Sequence, residues 1–235
     1  MSLEAQYSAL YALFYKRRAR DAFFQAGHAP VAGLTNVEIR QLQLADGLRF
    51  DSVVGLHQGD LAHQWYATRV PGGWLALQVA LDTDDRELVA SFTGSDAFEL
   101  RVDDDADGRA LLAWVGALAE SGHLPEAPWL PELLRYELLL NARWIDAHTP
   151  RVEEFKYEVP GIRESLVERR TFPTDEDPVR YGALFHKDER GVGEATLDRD
   201  EARAMHAILA GADTSGEPPR LLKRCKALLR EMSGW

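Results

Sequence analysis

The chain has 235 residues, enough for one large domain or two small ones, and 46% of them are hydrophobic, enough for a real core. Its net charge of −11 is uneven: residues 1–150 carry 12 Lys and Arg against 21 Asp and Glu, while residues 151–235 carry 15 against 17. Neither part is basic, which argues against a nucleic-acid footprint; no apolar run reaches the length of a transmembrane helix; and Cys225, the single cysteine, leaves no internal disulfide and no cysteine-built metal site.

Met1 to Gln6 lacks the basic and apolar regions of a signal peptide, so a cytoplasmic protein is expected. Leu3 to Gln25 predicts a helix, with Leu3, Tyr7, Leu10, Tyr11 and Phe14 at three- and four-residue steps. Lys16 to Arg20 places positive charge in its later turns, where it suits the helix dipole. Thr35 or Asn36 can cap a second helix running past Gly47 toward Leu56. Asp60 to Val70 predicts a short helix, Pro71-Gly72-Gly73 a turn, and Trp74 to Leu81 a buried helix. Arg86 to Phe92 and Asp96 to Val102 read as two helices split by Thr93-Gly94-Ser95. The acidic run Asp103 to Gly108 lacks the spaced ligands of a calcium loop and reads as a helix N-terminus. Helices follow over Arg109 to Glu120, ended by Gly122, and over Pro128 to Ala147, ended by Pro150. The latter's apolar stripe runs Leu130, Leu133, Leu134, Glu137, Leu138, Asn141.

From Arg151 the period changes. Phe155, Tyr157 and Val159 alternate with charged residues, which predicts a strand buried on one face. Pro160 then permits a helix start, with Ile162, Leu166 and Val167 filling one or two turns. Thr171 to Pro178 is a polar spacer expected to be mobile. Val179 to His186 and Val192 to Leu197 predict a hairpin turning through Lys187 to Gly191. Asp198 with Glu201 forms a capping box opening a helix with Ala202, Met205, His206, Ile208 and Leu209 in one stripe, stopped at Gly211. Pro218 to Met232 is a basic amphipathic tail expected to pack back on this module, with Cys225 as a buried inert thiol. The fold class is therefore α+β. A mostly helical N-terminal domain, 1–149, precedes a winged-helix-like domain, 150–235, with a three-stranded antiparallel sheet.

Catalytic signatures are sparse. The seven histidines form no H-x-x-x-H, H-E-x-x-H or H-x-D pair, and no nucleophile elbow, P-loop or G-x-G-x-x-G occurs. Six tryptophans fall within helical stripes and suit core packing. A non-catalytic protein with no metal or cofactor of its own is favoured.

Three segments carry a family resemblance. They are Leu130 to Glu137, Pro150 to Tyr157, and the hairpin–helix running from Ala183-Leu184-Phe185 through Thr196-Leu197-Asp198-Arg199-Asp200-Glu201-Ala202 to Leu209-Ala210-Gly211. Together they resemble the small partner subunits of peptide-modifying multinuclear non-haem iron enzymes. These are the MbnC-like and TglI-like proteins of the methanobactin and 3-thiaglutamate pathways; the segments also resemble the HvfC-like proteins. The resemblance spans Pro128 to Gly211, and the N-terminal half only in helical outline. It implies a winged-helix element that takes a ribosomally made precursor peptide as an added antiparallel strand, in RiPP biosynthesis. It also implies a heterodimer in which the iron sits in the oxidase subunit. Strand addition supplies main-chain hydrogen bonds, and neighbouring grooves read side chains. Mapped here, the candidate edge holds Val192, Glu194, Ala195, Thr196 and Leu197, and the candidate groove adds Ala202, Met205, His206 and Leu209. The resemblance does not fix which edge is open, and each of these residues can instead simply pack the module. The competing readings are a winged-helix DNA-binding regulator, which the charge disfavours, and an enzyme in its own right.

Overall fold

The computed structural model describes residues 3–15, 17–25, 33–44, 52–53, 56, 60, 63–98, 108–142, 150–174, 178–188 and 191–233. The architecture is α+β, with helices and a three-stranded antiparallel sheet. The chain divides into two units: residues 1–68 with 83–117, and residues 69–82 with 118–235. The expected domain boundary at Thr149/Pro150 falls inside the second unit.

The first unit holds α1 (Leu3–Tyr15), α2 (Arg17–Gln25), α3 (Asn36–Gln43), a helical stretch over 63–69, α5 (Asp85–Thr93) and the start of α6 (Arg109–Glu120). Thr35 caps α3 through a capping box with Glu38, and the helix ends at Leu44, well before Leu56. Gly47 and its neighbours lie outside the described residues. Asp84 caps α5, accepting from Glu87 N at 2.8 Å. The core is aromatic: Tyr66, Phe98 and Trp114 each set a ring 5.1–5.3 Å from that of Phe92. Phe98 explains a departure from expectation. Residues 96–98 form a turn that brings the Phe98 side chain into that cluster, and the rest of the helix expected there, 99–102, lies outside the described residues. The acidic run 103–107 lies outside the described residues.

The second unit is built on α4 (Pro71–Ala80), α7 (Leu130–Leu140), β1 (Arg151–Phe155), α8 (Val159–Val167), β2 (Tyr181–Asp188), β3 (Gly191–Leu197), α9 (Arg199–Leu209) and α10 (Pro219–Ser233). The strands run in the order β1-β2-β3, both pairs antiparallel, with Val152 opposite Leu184 and Phe185 opposite Glu194. Pairing fixes the faces, because side chains alternate along a strand. On one face Val152, Leu184 and Leu197 pack with Ala202, Ala204 and Met205 of α9 and with Cys225 and Leu229 of α10. On the other, Phe155 and Phe185 set their rings 5.9 and 5.8 Å from Tyr136 of α7. Central strand β2 is thus buried on both faces from Tyr181 to Phe185. Burying each such large side chain contributes roughly 1.5–3 kcal/mol.

Several local expectations shift for tertiary reasons. Pro71-Gly72-Gly73 is not a turn but the first turn of α4, with Pro71 at its start, where its missing N–H costs nothing. The strand at Arg151 stops at Phe155, because Glu132 Oε2 accepts from Lys156 N at 2.7 Å and draws the chain out of the ladder. Val159 therefore starts α8 and does not extend the strand. Helix α7 stops at Leu140, where the Asn141 side chain turns back to donate to Arg69 O at 2.8 Å and Glu137 O at 3.0 Å. Trp144 and Ile145 lie outside the described residues. The spacer expected to be mobile is anchored at Phe172, stacked 5.5 Å from Trp129, and at buried Pro173.

Helix α9 begins and ends as the sequence predicts. Asp198 Oδ1 accepts from Glu201 N at 2.8 Å, and Glu201 Oε2 accepts from Asp198 N at 2.9 Å. At the other end Gly211 takes φ +64, with Gly211 N on Ile208 O and Ala212 N on Ala207 O, a Schellman stop. Asp198→Ala is expected to lower stability by about 1 kcal/mol, read as a shift in the urea midpoint at unchanged slope.

Candidate functional site

Two of the sheet's long edges are free to differ, because each of β1 and β3 has a neighbour on one side only. Helix α7 engages the main chain of β1 and the residues just beyond it. Arg135 Nη2 donates to Glu154 O at 2.6 Å, and its guanidinium lies 4.7 Å from the Phe155 ring centre. Glu132 Oε2 takes Lys156 N and, at 3.3 Å, Tyr157 N. β3 has no such cover. Among the described residues of this unit its main-chain hydrogen bonds run to β2 alone. Its side chains are half-buried from Gly191 to Ala195, with Thr196 exposed and Leu197 buried. An unpaired edge of this kind is a template for another strand.

Between β3 and α7 lies a polar cluster. Glu194 shares the α7 face of the sheet with Tyr181 and Phe185, and Tyr136 of α7 hydrogen-bonds its carboxylate. The Tyr181 hydroxyl also acts on this carboxylate and on Thr196, but neither it nor Glu194 Oε2 makes a well-formed hydrogen bond. Burial pushes the Glu194 carboxyl above the usual range, against the pull of Tyr136. Burial also pushes the Tyr136 phenol up, and the Tyr181 phenol up to about 12. The groups acting on Glu194 are thus the two phenols, Glu158 and Arg163.

The Glu194 shift has a definite sign. A carboxyl with a higher pKa folded than unfolded binds more protons in the folded state. Its contribution to stability falls as pH rises from the ordinary glutamate value through the raised one. Wild-type stability is therefore expected to fall relative to Glu194→Gln as pH rises above the ordinary glutamate value. Urea midpoints of both proteins across that rise measure the difference, and a flat difference would contradict the shift.

A second buried carboxylate is purely architectural. Glu137, 1% exposed, sits at the α4 N-terminus. Its Oε1 accepts from Gly72 N at 2.9 Å and its Oε2 from Gly73 N at 2.8 Å, and Arg163 Nε completes the set at 2.9 Å. Burial pushes its carboxyl up, while the two N–H groups and Arg163 pull it down. The glycines are needed for the approach. A Cβ at Gly73 would lie 2.3 Å from Leu134 Cδ2.

The residues expected to bind peptide separate into two groups. Val192, Glu194, Ala195 and Thr196 lie along the uncovered strand, with Leu197 turned into the core at its end. Ala202 and Met205 are fully buried core residues, so the expected groove between β3 and α9 is already filled by the protein itself. Leu209 packs partly against the same core. His206 is exposed: the buried arc of α9 is centred on Glu201 and Met205, and one residue further turns about 100° away. Tyr136 and Tyr181 were not singled out from sequence. Their only local trace is an aromatic beside a glutamate in α7 and an aromatic at the start of β2.

Among the described residues no group of three or more His, Cys, Asp or Glu side chains could hold a metal ion, and no helix is long and apolar enough to cross a membrane. No protein-family model matches the chain, and no curated protein matches it.

Proposed function

We propose that this protein is a non-catalytic partner that takes an extended precursor peptide as a fourth strand on β3 and presents it to a multinuclear non-haem iron oxidase. The observation that carries the reading is the asymmetry of the sheet: α7 engages the main chain at and just beyond β1, while among the described residues of this unit β3 pairs with β2 alone. Added-strand binding needs such an edge, because most of its affinity comes from main-chain hydrogen bonds. The family resemblance supplies the class of peptide and enzyme, and the net charge of −11 weighs against a nucleic-acid partner. The iron would belong to the oxidase, and this chain would contribute binding and orientation alone.

The test is co-purification of the full chain with an iron oxidase encoded beside its gene, and titration with short precursor peptides encoded there. Hydrogen–deuterium exchange should show new protection of β3 amides when peptide binds. Failure to bind either enzyme or peptide would overturn the proposal. Shifted DNA mobility with a steep salt dependence would replace it with the regulator reading.

A further inference from the structure

Glu194 stands at the middle of the uncovered strand. Tyr136 and Tyr181 both act on its carboxyl, yet its Oε2 makes no well-formed hydrogen bond. The cation that acts on it, Arg163, directs Nε to Glu137 at 2.9 Å and is committed there. The open edge therefore holds a shielded carboxyl whose acceptor is incompletely filled and whose one acting cation, Arg163, is shared with Glu137. Covering the edge shields this group further and favours its neutral form, whereas a cation placed beside it favours the ionised form and offsets part of that cost.

A strand added beside β3 places one residue directly opposite Glu194, with the two Cβ atoms about 4.5–5.5 Å apart. Lysine or arginine there can reach the carboxylate once it turns outward from the phenols. An apolar or acidic residue would desolvate it further and give it nothing. We propose that the β3 edge selects extended peptides carrying Lys or Arg opposite Glu194, whose cation pairs with that carboxylate. The net charge of −11 acts in the same sense, raising the concentration of cationic segments near the surface. This inference rests on the strand-addition reading above and specifies its partner.

The experiment pans a display library of random peptides of about 12 residues, long enough for a typical strand, against the full-length protein and against Glu194→Gln. Binders are then checked for protection of β3 amides. On the wild type, β3-protecting peptides should share Lys or Arg at one position. Replacing that residue by norleucine should weaken binding roughly tenfold or more, the size of a hydrogen bond to a charged group. On Glu194→Gln the same replacement should change affinity by less than about twofold. The norleucine comparison on wild-type protein alone decides the matter if the variant folds poorly. Peptides that protect β3 with no cation preference would overturn this inference and leave strand addition standing. If no peptide protects β3, both fall.

Discussion

Replacing Glu137 by alanine is expected to destabilise the protein by about 3–5 kcal/mol, the range for removing one partner of a buried ion pair. Three donors lose their acceptor at once: Gly72 N, Gly73 N and Arg163 Nε. The two backbone donors lie at the start of α4, where no intrahelical acceptor exists for them. Their orphaning adds to the loss of the helix-dipole interaction with the carboxylate. Arg163→Met should cost less, since Glu137 keeps both backbone donors and only the cation is gone. Glu137→Gln should fall between, because the amide retains one oxygen but turns its NH2 toward a donor. Urea denaturation of the three variants measures the order. A Glu137→Ala cost below that of Arg163→Met would show that the helix terminus contributes little.

Phe185→Ala is expected to cost about 3–5 kcal/mol, the usual penalty for emptying an aromatic site in a core. Its ring is fully buried and faces both Tyr136 and Phe155. The cavity would open between α7 and the central strand, where neither neighbour can collapse without breaking the ladder on one side or the Glu137 cradle on the other. Glu194 pairs directly across from Phe185, so the variant should also expose the carboxylate and bring its pKa back toward the ordinary range. Val179→Ala, at a side chain 58% exposed, should change stability by less than about 0.5 kcal/mol and serves as the control. Chemical denaturation reads the stability, and carboxyl NMR titration of Glu194 reads the second effect. An unmoved Glu194 in a folded Phe185→Ala protein would mean that burial by the ring is not what raises it.

What could be read from sequence was whatever chemistry stays local. The Asp198–Glu201 capping box, the stop at Gly211, the hairpin and the Leu and Cys stripe of α10 all depend on residues a few positions apart. What could not be read depends on partners far along the chain. Pro71-Gly72-Gly73 spells a turn unless a carboxylate 64 or 65 residues away caps it as a helix. The sign was present, since Glu137 occupies an apolar stripe at helical spacing, and a charge in such a place needs a partner. Nothing local named that partner. The same holds for the candidate edge. Alternation marks Val192 to Leu197 as a strand, but only the positions of Glu132 and Arg135 on α7 tell which edge is left uncovered. His206 was misplaced for a subtler reason: a stripe drawn through Ala202 and Leu209 tolerates an error of one residue, and the helix axis does not.

The one-sided cover of the sheet also sets its valence. A sheet open at both long edges can recruit copy after copy and grow into a fibre. In this unit Arg135 of α7 holds one main-chain carbonyl of β1 and Glu132 the two amides just beyond it, which biases addition toward β3. Without a guest, two copies meeting β3 to β3 would close on a two-fold axis and leave no free edge to propagate. The contacts from Arg135 and Glu132 would therefore bear on self-association as well, favouring a closed pair over a growing stack.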